Sequence, residues 1–250
     1  MEKIIQDHLH MRKVSAHWVP RLLTPFQKQE RIECSLDLLT MCHGNQEDFF
    51  NRLIAQDESW VHHYDPETKV QSMQWKHLDT PPPKKACAQP SAGKVMLTVF
   101  LLGPARSSLD GFPSFGATIT EAYYTSLLRK LREAIKSKRC GMLTKGARLL
   151  QYNAPVHNSH VAQMEARCCG FEILPHPPYS PDLAPSDFHL FPTMKSYLKG
   201  KHFPGDETLI SEVTTWLLGQ PVDFYKRGIY SCIKRWEKCV SLGGTYVEKD

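Results

Sequence analysis

Apolar residues along the chain recur at two spacings, every third or fourth position and in short unbroken runs, so helices and buried strands are both expected. Residues 2–15 read as a helix with Ile4, Ile5 and Leu9 on one face, and as the tail of a longer unit. A proline-bounded connector, Trp18 to Pro25, follows, because each proline biases its predecessor away from helix. Helices are expected from Gln27 to about Cys42, with Ile32, Leu36 and Leu39 facing inward, and from Gln46 to Ala55, with Phe49, Phe50, Leu53 and Ile54. Strands are expected at Ser59 to Tyr64, Val70 to Trp75 and Val95 to Leu102, the last an uninterrupted apolar run suited to burial on both faces. Thr120 to Lys138 is the longest helical pattern, with Tyr123, Leu127, Leu131 and Ile135 in line. Strand, helix, strand then follow at Arg148 to Tyr152, His157 to Cys168 and Phe171 to Leu174, and helices at Ser186 to Leu198, Glu207 to Leu218 and Phe224 to Val240. This alternation predicts an α/β fold with a mixed sheet flanked by helices.

With 250 residues and 41% hydrophobic composition, the chain can bury one sizeable core or two small ones. No apolar run reaches the length of a membrane span or of a secretory signal, so an intracellular protein without a membrane partner is expected. Eight cysteines lack any Cys-x-x-Cys pair, which argues against a disulfide framework and a zinc ribbon. His62-His63 and Cys168-Cys169 are poor metal candidates, since adjacent strand residues face opposite ways and no further ligand lies at a usual spacing.

Charge sharpens this picture. The formal net charge is +5, yet residues 84–148 carry twelve Lys and Arg against Asp110, Glu121 and Glu133. So concentrated a positive segment suits a polyanion, and a solvated helix face with loop lysines explains it equally well on charge alone. Two segments set acids in rigid backbone. Asp57 enters an expected strand in Gln56-Asp57-Glu58-Ser59-Trp60, and Asp187 falls in the first turn of a helix after Pro181 and Pro185. A carboxylate held there is oriented as a Mg²⁺ ligand must be, although capping the helix is the simpler role for an isolated Ser-Asp.

Four segments together carry a resemblance: residues 55–61, the sequence Tyr152-Asn153-Ala154-Pro155-Val156-His157, the proline-punctuated run from Leu174 to Phe191, and Phe224 to Ile229 with Arg235 to Val240. The chain resembles the mariner (Tc1/mariner) transposases over nearly its whole length. The resemblance implies a remnant of a second helix-turn-helix plus linker over residues 1–45 and an RNase H-like catalytic domain over residues 46–250. It implies DNA as partner, transposition in the nucleus, homodimerisation through a linker motif at Trp18, Val19 and Pro20, and phosphate contacts from Lys84, Lys85 and Lys94. It also implies Mg²⁺-dependent strand cleavage and joining by three acids holding two ions, which activate the attacking oxygen and stabilise the leaving one.

Asp57 would be the first acid and Asp187 the third. The family places 34 residues between second and third, and that count back from Asp187 lands on Tyr152. A phenol is neutral at physiological pH and cannot replace a carboxylate. Glu58 is a weak substitute because it faces away from Asp57 on a strand. The expected protein is therefore a catalytically impaired DNA-binding transposase derivative. A residual metal-dependent endonuclease, a non-catalytic dimerising module and an unfolded remnant are the alternatives. A second departure lies between Leu102 and Ser114, where codons read one base later can spell Trp-Asp-Leu-Gln-Gly-Val-Leu-Leu-Met-Asp-Phe-Leu-Pro. A local frame slip there would exchange a core strand for a loop.

Overall fold

Thr24 opens the first helix described by a reciprocal cap: its hydroxyl accepts from the Gln27 backbone N–H, and the Gln27 side chain accepts from the Thr24 N–H. The computed structural model describes residues 11, 19–75, 77, 84–86, 88–103, 114–116 and 119–248. The expected helix at 2–15, the linker residue Trp18 and the frame-slip segment 104–113 lie outside them.

Helix α1 (Pro25–His43) and the short α2 (Gln46–Asn51) lead into strand β1 (Leu53–His62). β2 (Lys94–Leu102) pairs antiparallel with β1, and β3 (Ser114–Gly116) pairs with β2 at Met96 to Thr98. Helix α3 (Glu121–Lys138), capped by Thr120, and α4 (Cys140–Thr144) precede β4 (Ala147–Gln151). α5 (His160–Cys168) leads to β5 (Phe171–Ile173). A 3₁₀ turn at Pro181–Leu183 and a π turn at Ser186–Leu190 then introduce α6 (Phe191–Leu198), α7 (Asp206–Gly219) and α8 (Val222–Ser241). The sheet order is β3-β2-β1-β4-β5, with β4 parallel to β1 and β5 parallel to β4. This is the expected mixed sheet flanked by helices.

The two-residue period of β1 and β2 sorts their side chains onto two cores. Ala55, Val61, Val95, Leu97, Val99 and Leu101 face α6 to α8, where Leu190, Met194, Trp216 and Phe224 cover them. Ile54, Phe100 and Leu102 point to the other face, against Tyr124, Leu127, Leu128, Leu131 and Ile135 of α3 and Ala162 and Ala166 of α5. A third cluster joins α1, α2 and α8 around Phe49, Phe50 and Trp236. Each fully buried large side chain contributes roughly 1.5–3 kcal/mol relative to its exposed state.

Three sequence expectations change. The helix expected through Ala55 stops at Asn51, and β1 begins at Leu53 rather than Ser59, because Leu53 to Gln56 pair with Arg148 to Gln151 of β4. An apolar run cannot by itself distinguish a buried strand from a helix. The segment Val70 to Trp75 forms turns instead of a strand, with Val70, Met73 and Trp75 exposed and without a sheet partner among the described residues. In α1 the buried line is Arg31, Ser35, Leu38, Leu39 and Cys42, whereas Leu36 is 46% exposed. The cause is Arg31, whose guanidinium makes a two-pronged pair with Asp182 at 2.9 and 2.6 Å and also donates to Ser180 Oγ and to the carbonyls of Gly244 and Thr245. A fully satisfied arginine can be buried where an unpaired one cannot. β2 continues through Leu102, and the Gly103 N–H donates to the Leu53 carbonyl at 2.9 Å.

Candidate active site

Asp57 sits in the middle of β1, on the face that carries Ala55 and Val61, and is 5% exposed. Its Oδ1 accepts the Glu58 backbone N–H at 2.8 Å, while its Oδ2 is buried without a hydrogen-bond partner among the described residues. Asp187 approaches from the π turn. Prolines 181 and 185 stiffen the chain before it, Leu183 and Ala184 are buried, and the N–H groups of Asp187 and Phe188 both donate to the Ala184 carbonyl at 3.0 Å. The turn thus directs Asp187 toward β1, instead of leaving it in the first turn of an ordinary α-helix as the sequence suggests. Wide turns of this kind occur often at functional sites.

The two carboxyls are coupled. Burial, then repulsion from Asp187, holds the Asp57 carboxyl well above the usual carboxylate range. Burial raises Asp187 to about 6, with Lys195 of α6 opposing the rise. Two such groups cannot both ionise without cost, and burial and mutual repulsion act in the same direction on Asp57.

Tyr152 completes the cluster. Gln56 and Gln151 are register partners in the parallel β1–β4 pair, so the residue after each is Asp57, still in β1, and Tyr152, just past the end of β4. Burial, then the charges of Asp187 and Asp57, push the Tyr152 phenol upward and keep it neutral. Its ring lies 5.5 Å from that of His176. Tyr152, His176, Gln56 and Ser186 border a small cavity, and Gln56 Oε1, His176 Nε2 and Ser186 Oγ have no hydrogen-bond partner among the described residues.

On the opposite face of β1 the Glu58 carboxylate is already occupied. Its Oε1 lies 3.0 Å from His157 Nε2 and accepts from Gln56 Nε2 at 2.5 Å. His157 Nδ1 in turn donates to the Tyr152 carbonyl at 2.7 Å, and the Tyr124 hydroxyl donates to Gln151 Oε1 at 2.7 Å. The sequence contained His157 within a recognisable segment but offered no sign of this bond across 99 positions.

As ligands, Asp57 and Asp187 fit one divalent cation, since Oδ2 of Asp57 is buried beside Asp187 and a cation would relieve the repulsion between the two acids. They do not fit two ions held by three acids: among the described residues, no group of three His, Cys, Asp or Glu side chains converges. The other sequence candidates lie apart. Lys94 begins β2 opposite His62, five register positions from the Val99–Asp57 pair, or roughly 17 Å along the strand. Its ammonium rests 4.4 Å from the Trp60 ring centroid. Lys85 pairs with Glu67, and Lys84 is exposed. Val19 and Pro20 are exposed, with Arg21 stacked 4.5 Å over the Tyr179 ring.

No family model matches the chain. It is 32% identical over 234 residues to the human histone-lysine N-methyltransferase SETMAR, covering 92% of this chain and 33% of that protein. It is 31% identical over 237 residues to the mariner Mos1 transposase of Drosophila mauritiana, covering 92% of this chain and 66% of that one. The chain therefore spans a third and just under two thirds of these relatives. The Mos1 mariner paired end complex with Mn superposes with a TM-score of 0.83 at 29% identity, over 99% of this chain and 72% of that chain. The catalytic domain of Mos1 mariner transposase gives 0.74 at 28% identity, over 92% and 100%. The mixed sheet is accordingly RNase H-like. Likeness in sequence across most of the chain and in fold across nearly all of it agree, and the chain belongs to the mariner transposase family.

Proposed function

We propose that this protein is a DNA-binding transposase derivative, acting in the nucleus, whose ancestral activity is metal-dependent cleavage and transfer of DNA strands and whose cutting centre is impaired. The observation that carries the reading is the position of Tyr152, register neighbour of Asp57 and within electrostatic reach of both acids. Cleavage in line requires the attacking and leaving oxygens to be stabilised together, which closely placed anionic ligands make possible through two ions. Here Asp57 and Asp187 would hold a single Mg²⁺ or Mn²⁺, which when bound supplies Lewis acidity. The Tyr152 hydroxyl adds no negative charge, and Glu58 is engaged by His157 and Gln56 on the other face of the strand. Mn in the Mos1 paired end complex supports divalent metal use in the family.

A plasmid assay tests this reading. Supercoiled DNA incubated with the natural chain and Mg²⁺ or Mn²⁺ should remain supercoiled. Nicking that disappears in the Asp187→Ala variant would instead establish the second reading, a residual endonuclease, which the persistence of the coupled Asp57 and Asp187 pair favours. A third reading, a non-catalytic dimerising module, draws on the exposed Leu22 and Phe26 beside Val19 and Pro20. Sedimentation of the full chain separates it from a monomer.

A further inference from the structure

The positive charge of residues 84–148 divides unequally in space. Of its twelve Lys and Arg, eight fall within residues 129–148, where Glu133 is the single acid. Arg129, Arg132 and Lys136 recur at helical spacing along one side of α3, beside the stripe of its buried Leu128, Leu131 and Ile135. Two of these cations are held in place. Arg129 grips Glu165 of α5 with bonds of 2.8 and 2.7 Å, and Arg132 donates to the Cys168 carbonyl at 2.6 Å. The second bond brings the end of α5, with exposed Arg167, alongside α3. Lys130, Lys136 and Lys138 are exposed.

This face is remote from the acids. Tyr124 marks the end of α3 near the site by its bond to Gln151, and Lys138 lies about 21 Å further along the helix axis at 1.5 Å per residue. The row of positive charge from Arg129 to Lys136 runs for about 10 Å, the axial rise of roughly three base pairs. Glu165 and Glu172 pair with Arg129 and Arg148, and Glu133 is the one acid in the sequence between residues 129 and 148.

From this we infer that the exposed side of α3 from Arg129 to Lys136, with Arg167 of α5, is a second nucleic-acid surface that grips the phosphate backbone of duplex DNA away from the carboxylates. The inference rests on the DNA-binding reading above and adds to it a location separate from Lys84, Lys85 and Lys94. Such a surface contacts phosphates and carries no base readout, so it binds without sequence preference.

The test is fluorescence anisotropy of a labelled mixed-sequence duplex titrated with the full chain between 50 and 300 mM salt. Lys130→Gln/Lys136→Gln/Arg167→Gln alters only exposed side chains. It should weaken binding at least tenfold and lower the slope of log affinity against log salt by about 2 to 3, as loss of three phosphate contacts requires. A thermal melt checks folding, and Lys136→Gln alone should lower the slope by about 1. Unchanged affinity and slope in both variants, with weakened binding by Lys84→Gln/Lys94→Gln, would overturn the inference and leave the DNA-binding reading standing. No binding by the natural chain at 50 mM salt would overturn both. Equal affinity for polyglutamate and for duplex DNA would overturn the assignment to nucleic acid.

Discussion

His157 Nε2 lies 3.0 Å from Glu58 Oε1 while its Nδ1 lies 2.7 Å from the Tyr152 carbonyl, so both ring nitrogens face acceptors. Through these two contacts His157 joins the strand bearing Asp57 to the backbone of Tyr152. His157→Phe should leave the largely buried Glu58 without this donor and lower stability by about 2 to 4 kcal/mol. Urea unfolding measures this, and His157→Phe/Glu58→Leu should recover part of the loss. A loss under about 0.5 kcal/mol in the single variant would deny the pair any structural weight.

Arg31 provides a sharper case, because it ties α1 to the segment before the π turn and to the C-terminal carbonyls. Arg31→Met strands the Asp182 carboxylate and should cost about 3 kcal/mol or more in chemical denaturation. Arg31→Lys keeps the charge but loses the paired fork, and should rescue less than half of that. Full rescue by lysine would mean that charge alone, not the fork, holds the segment.

The coupled acids predict a dependence on pH. Asp187 rises from 3.8 to about 6, so across that window the folded chain keeps a proton that the unfolded chain releases, and stability falls as pH increases. His176 acts oppositely. Burial lowers it from 6.5 to about 4, so the unfolded chain takes a proton that the folded chain refuses, and stability falls as pH decreases through that range. The two effects offset each other in the natural chain. Asp187→Asn removes the first, and should be more stable than the natural chain by about 2 kcal/mol at pH 7, with the difference vanishing near pH 4. Unfolding midpoints at four pH values decide the matter, and a difference independent of pH would contradict the coupling.

Tyr152→Asp places an acid beside Asp57, at the position proposed above for the second ligand. Combined with replacement of residues 102–114 by the sequence of the shifted frame, it should recover Mg²⁺-dependent conversion of supercoiled plasmid to open circle. Either change alone should do less, since one lacks a firmly built sheet and the other lacks a ligand. The control adds Asp187→Ala to each of these variants. Equal nicking with and without Asp187 would exclude this centre as its source.

Local patterns in the sequence determined the strand Val95 to Leu102, the amphipathic helix after Thr120 and the proline-stiffened approach to Asp187, because each depends on neighbours a few residues away. The tertiary structure alone decided that Leu53 to Gln56 extend a strand, since their hydrogen-bond partners lie in β4, almost a hundred residues later. It alone buried Arg31, whose partner Asp182 is 151 positions distant, and occupied Glu58 with His157. Propensity and periodicity act through adjacent turns and pleats, whereas burying a charge depends on whether a partner waits at the same place in space.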